Sequence, residues 1–182
     1  MAYREFKELK LCDHPKFCDE RGFFFESFNQ TFFENETKIN TQFVQDNVSY
    51  SKKNVLRGFH YQCKPFEQGK LVRVLDGAIL DVVVDVRRNS EYFGDYFHTI
   101  LSKENNKSLW IPEGFAHGFL ALEEENLVSY KTTNYYSKTH EISFSWDDKD
   151  INFNWPVKSS EISLSEKDSN NITKLLDFRN LK

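Results

Sequence analysis

Nine short runs of apolar, aromatic and β-branched residues, several of them separated by turn-forming breakers, restrict this chain to a fold built from sheets. The runs are Gln42–Asn47, Leu56–Gln62, Leu71–Leu75, Ala78–Val86, Tyr96–Leu101, Ser108–Ile111, Gly118–Leu122, Leu127–Asn134 and Glu141–Ser145. Asp76-Gly77 and Arg88-Asn89-Ser90 are among the breakers. Short strands at this spacing imply a sandwich or barrel, an all-β class. Helix is expected in two places only. Gln30–Glu36 reads as a short turn, and Ser169–Phe178 carries a stripe of Ile172, Leu175, Leu176 and Phe178 that predicts a short C-terminal helix.

No repeat, low-complexity tract or Pro/Gly-rich linker divides the sequence, so residues 1–182 read as a single domain. Its 39% hydrophobic content is enough for a sizeable core at this length. Eighteen phenylalanines, eight tyrosines and three tryptophans favour half-buried strand surfaces and pockets for flat ligands. The net charge of −4 argues against nucleic acid as a partner, so an anionic ligand would have to be met by a local cluster of cations. Cys12, Cys18 and Cys63 fit neither a disulfide framework nor a zinc motif and read as reduced packing residues. The N-terminus lacks the apolar core of a signal peptide and no apolar run is long enough to span a bilayer, so no membrane association and a cytoplasmic location are expected.

Chemistry concentrates in Val55-Leu56-Arg57-Gly58-Phe59-His60-Tyr61-Gln62, followed by Lys70. A strand histidine alone more often serves packing than catalysis. Here a second segment, Leu109 to Phe119, adds His117 in a Gly-punctuated turn, and two such segments suggest one shared pocket. Pro112-x-Gly114-x-x-His117 resembles the second half of a metal-binding cupin pattern, but His60 is followed by Tyr61-Gln62 where further ligands would be needed, so no metal is expected.

Proton abstraction from carbon fits the residues better. An imidazole base needs a carboxylate to fix its tautomer, and Asp81, Asp85 and Asp168 are all candidates. Lys70 or His117 could meet an enolate oxygen. Tyrosine, neutral at pH 7 yet able to donate, suits the opposing acid, and strand alternation would place Tyr130, Thr132, Asn134 and Tyr136 on one face. Along Ala78–Val86, Leu80, Val82, Val84 and Val86 share one face, and the face of Asp81 and Asp85 is either wet or a pocket. Arg57 and His60 have opposite strand parity, so either Gly58 permits a bulge or Arg57 turns inward from the strand end.

From Asp19-Glu20-Arg21-Gly22-Phe23-Phe24-Phe25-Glu26 through Phe43 to Asn47, Val55 to Gln62, Gln68 to Arg73, Trp110 to Phe119, Tyr130 to Tyr136, Trp146-Asp147-Asp148 and Leu164 to Asp168, the chain resembles the dTDP-4-dehydrorhamnose 3,5-epimerases over residues 17 to 168. The resemblance implies a cupin-type β-jelly roll, RmlC-like, that forms a homodimer and uses no metal or other cofactor. It implies His60 as base paired with Asp168, Tyr130 as acid and Lys70 beside the C4 oxygen of a dTDP-linked 4-keto-6-deoxy sugar. It further implies that Arg57 and His117 help bind the substrate, Gln45 and Asn47 line the site, and Tyr136 stacks on thymine. Glu141 and Lys167 would add contacts, with Arg21 and Glu26 supplied by the neighbouring subunit. Val48 and Lys149 depart from the usual pattern and leave the sugar open. Relatives that invert one carbon only, and a non-catalytic sugar-nucleotide-binding cupin, are the alternative readings.

Overall fold

The computed structural model describes residues 1–171 and 173–180. Its strands are β1 (Lys10–Asp13), β2 (Phe17–Asp19), β3 (Gly22–Phe24), β4 (Gln45–Lys52), β5 (Leu56–Gln62), β6 (Lys70–Asp76), β7 (Ala78–Asp85), β8 (Tyr96–Ser102), β9 (Lys107–Ile111), β10 (Phe115–Ala121), β11 (Glu125–Thr132) and β12 (Glu141–Ser143). The helices are α1 (Gln30–Thr37), α2 (Glu166–Ser169) and α3 (Leu175–Asn180). Two five-stranded antiparallel sheets, ordered β1-β9-β6-β11-β4 and β12-β5-β10-β7-β8, face each other as a jelly roll, and β2-β3 forms a separate hairpin.

The inner faces meet in a core of Val72, Val74, Ile79, Val83, Leu101, Leu109, Ile111, Phe115, Phe119 and Val128. Both outer faces are also covered in part. The C-terminal segment lays Phe144, Ile151, Trp155, Leu175 and Phe178 over Leu56, Phe59, Val82, Val84 and Val86. On the opposite side, Phe33 of α1 packs with Leu71 and Trp110. Strand β7 is therefore buried on both faces, and the face of Asp81 and Asp85 is neither wet nor open. Both aspartates are fully buried.

Several expectations need correction. The helix expected over Ser169–Phe178 is not continuous: α2 ends at Ser169 and α3 begins at Leu175. Asp148 explains the second start, because its Oδ2 accepts the Leu175 N–H at 2.7 Å and supplies a side-chain partner to an N-terminal donor of α3. Ile172 lies outside the described residues. Strand β11 stops at Thr132, so alternation does not carry on to Asn134 and Tyr136. Cys18 is exposed rather than packed. The first three strands were not foreseen, since β2 and β3 are exposed along their whole length and lack an alternating pattern.

Strand β5 resolves the parity of Arg57 and His60. Against β10, His60 pairs with His117 and Arg57 pairs with Phe119, so two residues on β5 oppose Gly118 alone. This extra residue returns Arg57 to the face of His60. Gly58 adopts φ +118°, a region that favours glycine, and a Cβ there would lie 2.5 Å from Gly118 Cα.

Candidate active site

Register brings the functional side chains to one end of the barrel interior. Thr132 pairs with Gln45 and with Lys70, while Tyr130 pairs with Asn47 and with Val72. Opposed residues share a face. Hence Gln45, Asn47, Lys70 and Tyr130 all project inward from one sheet. From the other, His60 pairs with His117 on one side and with Ser143 on the other, and Gln62 pairs with Glu141. A cavity of about 260 Å³ is lined by Gln45, Asn47, His60, Tyr61, Gln62, Gln68, Lys70, Tyr130, Tyr136 and Glu141.

His60 Nε2 lies 2.8 Å from Asp168 Oδ1. This places Asp168, of the three aspartates that the strand reading left open, against His60. The carboxylate is in turn fixed by α2. Ser165, the N-cap, accepts the Asp168 N–H at 3.1 Å and donates its hydroxyl to Asp168 Oδ2 at 2.9 Å. Burial acts to raise the Asp168 carboxyl, but the hydrogen bond and charge of His60, with Ser165 and Lys167, hold it below its ordinary value. The dyad thus keeps a carboxylate against an imidazole that lines the cavity.

Tyr130 is half-buried, and burial raises its phenol above the ordinary value against the opposing charge of Arg57. It stays protonated at neutral pH and can donate. The ammonium of Lys70 is so desolvated that its pKa falls to about 8, although Glu141 and Asp81 act to raise it. Glu141 ties together the far rim: its Oε2 accepts from Tyr136 at 2.8 Å and from Lys167 at 2.6 Å. Burial acts to raise Glu141 as well, and these two partners with His60 hold it low. The bond to Glu141 also pushes Tyr136 up to about 12.

Arg57 and His117 share the inward face without lining the cavity. Arg57 donates from Nε to Ser51 at 3.1 Å and from Nη2 to the Tyr50 carbonyl at 3.0 Å. His117 Nε2 sits 2.8 Å from Asp81 Oδ2, so Asp81 serves a different histidine from the one considered in the sequence. Asp85 serves none: it accepts from Arg87 and Ser90 and locks the turn after β7. Arg21 and Glu26 do not reach the cavity within the chain. Arg21 is 85% exposed and paired with Asp19, and Glu26 accepts from Asn29. Gln62 and Gln68 were missed in the sequence, where nothing but their place beside His60 and Lys70 could have marked them. Their side chains hold the Ser137 N–H and the Asn134 carbonyl of the segment that carries Tyr136. Among the described residues, no three His, Cys, Asp or Glu side chains converge as metal ligands would, and no helix is long and apolar enough to cross a membrane.

A carboxylate-backed imidazole, a protonated phenol and an ammonium around one barrel cavity can move protons on and off a carbon acid, which is the chemistry of an epimerase. Comparison with known proteins gives the family. A model of the dTDP-4-dehydrorhamnose 3,5-epimerase family matches residues 4–175, and the chain belongs to that family. It is 51% identical to the dTDP-4-dehydrorhamnose 3,5-epimerase of Shigella flexneri over 166 residues, 91% of each chain. Among solved structures it is similar to the dTDP-6-deoxy-D-glucose-3,5-epimerase of Legionella pneumophila in complex with dTDP-4-keto-L-rhamnose, with TM-score 0.89, 44% identity and coverage of 97% and 92% of the two chains. It also resembles a 3'-monoepimerase from Streptomyces bikiniensis in complex with dTDP-quinovose, with TM-score 0.87, 30% identity and coverage of 97% and 88%.

Proposed function

We propose that this protein converts dTDP-4-dehydro-6-deoxy-D-glucose to dTDP-4-dehydro-L-rhamnose by inverting C5 and C3. The observation that carries the reading is the His60–Asp168 pair at 2.8 Å in one cavity with Tyr130 and Lys70. The C4 ketone acidifies the protons on both neighbouring carbons. His60 takes the C5 proton, the C–H electron pair moves into the C4–C5 bond, and the carbonyl pair moves to O4. The Lys70 ammonium meets that oxyanion. As the ketone returns, C5 takes the Tyr130 hydroxyl proton on the opposite face, and solvent then restores both side chains. The same cycle at C3 inverts the second centre. No cofactor enters this sequence.

Gln45, Asn47, Arg57, His117, Glu141 and Lys167 hold the nucleotide sugar, and Tyr136 stacks on thymine. The chain acts as a homodimer in which Arg21 and Glu26 of one copy complete the cavity of the other. Exposed Phe17, Phe23 and Phe24 on the hairpin support that arrangement, as does exposed Val48 on the edge strand β4.

Incubation with the keto sugar in deuterated water tests the mechanism. His60→Ala should lower incorporation at C3 and C5 by about 10² to 10⁴-fold. Tyr130→Phe should impair inversion more than initial proton loss. Undiminished exchange in the first variant, or wild-type epimerisation in the second, removes that residue from its role. Product NMR separates double inversion from inversion at C3 alone, the activity borne by the Streptomyces neighbour. A binder without catalysis exchanges nothing.

A further inference from the structure

Asp81 carries more than the pairing with His117 requires. It lies on the inward face of β7 between Ile79 and Val83, and it is fully buried. A buried carboxylate among aliphatic side chains is costly unless its oxygens are engaged. One oxygen, Oδ2, is engaged by His117 at 2.8 Å. The other, Oδ1, has no hydrogen-bond partner among the described residues.

Strand register explains the geometry. Asp81 pairs with Phe119 of β10, two residues from His117, so the imidazole reaches the carboxylate along the diagonal of one sheet face. The ring cannot turn without surrendering that bond, since its own side chain is 10% exposed and the aspartate side chain 0%. Lys70 projects inward from the opposing sheet, and the Asp81 charge is one of two carboxylates acting on its ammonium, the other being Glu141. Glu141 is already held by Tyr136 and Lys167. Among the described residues, no lysine or arginine is paired with Asp81, whose one partner is His117.

Resting on the epimerase reading above, we propose that Asp81 is a positioning residue for the reaction: one oxygen fixes the His117 ring, and the charge of its unpaired oxygen holds the Lys70 ammonium ready for the enolate. It touches no reacting atom and acts through these two neighbours. The retained orphan oxygen then has a physical reason, because a hydrogen bond from elsewhere would spend the charge that Lys70 needs.

The test is the pH dependence of turnover in Asp81→Asn, which keeps the shape and an acceptor oxygen but removes the charge. The other charged or titratable groups that face Lys70 are Glu141 on β12 and Lys167 on α2, which act on its charge, and His60 and Tyr61 on β5, Tyr130 on β11 and Tyr136 beyond it, which line the same cavity, and none of them is paired with Asp81. The alkaline fall in kcat should move to lower pH by roughly one unit. At neutral pH kcat should drop on the order of ten- to a hundredfold with a smaller change in KM. In a Lys70→Met background the same substitution should lose most of its effect, as coupled sites do. A folded Asp81→Asn enzyme with the wild-type pH profile and kcat overturns the proposal. If Asp81→Asn gives no cooperative thermal transition, ¹⁵N NMR of the wild-type imidazoles decides instead. His117 should carry a proton on Nε2 across the working pH range, and an Nδ1–H tautomer with bare Nε2 overturns the assignment. Absence of deuterium exchange in the wild-type enzyme would instead remove the epimerase reading, and the His117 tautomer would still decide whether Asp81 fixes that ring.

Discussion

The ammonium of Lys70 enters the space between two sheets, and burial lowers its pKa to about 8 although Glu141 and Asp81 oppose the shift. Unfolded, a lysine titrates near 10.4, so between about pH 8 and 10.4 the folded chain binds fewer protons than the unfolded one. The contribution of Lys70 to stability therefore rises with pH across that window and is unfavourable below it. In the proposed mechanism function runs the other way, because only the charged form can meet an oxyanion. Lys70→Met should accordingly raise the melting temperature at pH 7 while lowering turnover on the order of 10²-fold. The gain in melting temperature should vanish above about pH 10.4, where unfolded lysine is also neutral. A thermal scan at pH 7 and pH 11 beside the turnover assay decides it, and a destabilised variant at pH 7 would refute the account. Wild-type activity should likewise fall as pH rises through about 8.

At the scale of elements, the bulge in β5 and the cap of α2 place His60 and its carboxylate. Gly58 sits at φ +118°, and an added Cβ would lie 2.5 Å from Gly118 Cα and 2.7 Å from the His117 carbonyl. Gly58→Ala should cost about 1–3 kcal/mol from backbone strain, with a further penalty for displacing β10. Because the bulge sets the faces of Arg57 and His60 together, activity should fall further than stability explains. Calorimetry and turnover at a temperature where the variant is fully folded separate the two effects. Ser165→Ala removes both the cap and a partner of Asp168, and should cost about 1 kcal/mol with roughly tenfold slower turnover. A variant with wild-type turnover would show that Asp168 holds its place without Ser165. The sequence announced the bulge through Gly58 and the odd spacing of Arg57 and His60, yet left two explanations open. Only the pairing of β5 with β10, a contact between residues about sixty apart, chooses between them. The same limit applies to Asp168. It stands 108 residues from His60, and no local pattern in the chain could join them.

For the whole molecule, the apolar runs gave β5 to β9 to within one residue, because each has one or both faces buried and so repeats a readable pattern. By contrast, β11 lies two residues earlier than expected and β10 begins at Phe115, so His117, expected in a turn, lies inside a strand. The hairpin of β2 and β3 escaped that reading for the reason that makes it informative: Phe17, Phe23 and Phe24 are 64%, 63% and 65% exposed. A single chain gains nothing by showing three phenylalanines to water, whereas a second copy covering them would recover about 25 cal/mol for each Å² buried. Val48 and Tyr50 add exposed apolar surface on β4, a strand with an open edge. Replacing Phe23 and Phe24 together by Asp should yield a monomer in sedimentation at micromolar concentration. The barrel core contains neither residue, so each folded monomer should keep its antiparallel-sheet circular dichroism. In the homodimer proposed above, such a monomer would lack Arg21 and Glu26 of the second copy, and its KM for the nucleotide sugar should rise by tenfold or more, about 1.4 kcal/mol of lost binding. The chemical step should suffer less, since His60, Asp168, Tyr130 and Lys70 all come from one chain. A variant that stays dimeric, or a monomer with an unchanged KM, would show that each cavity is complete without its neighbour.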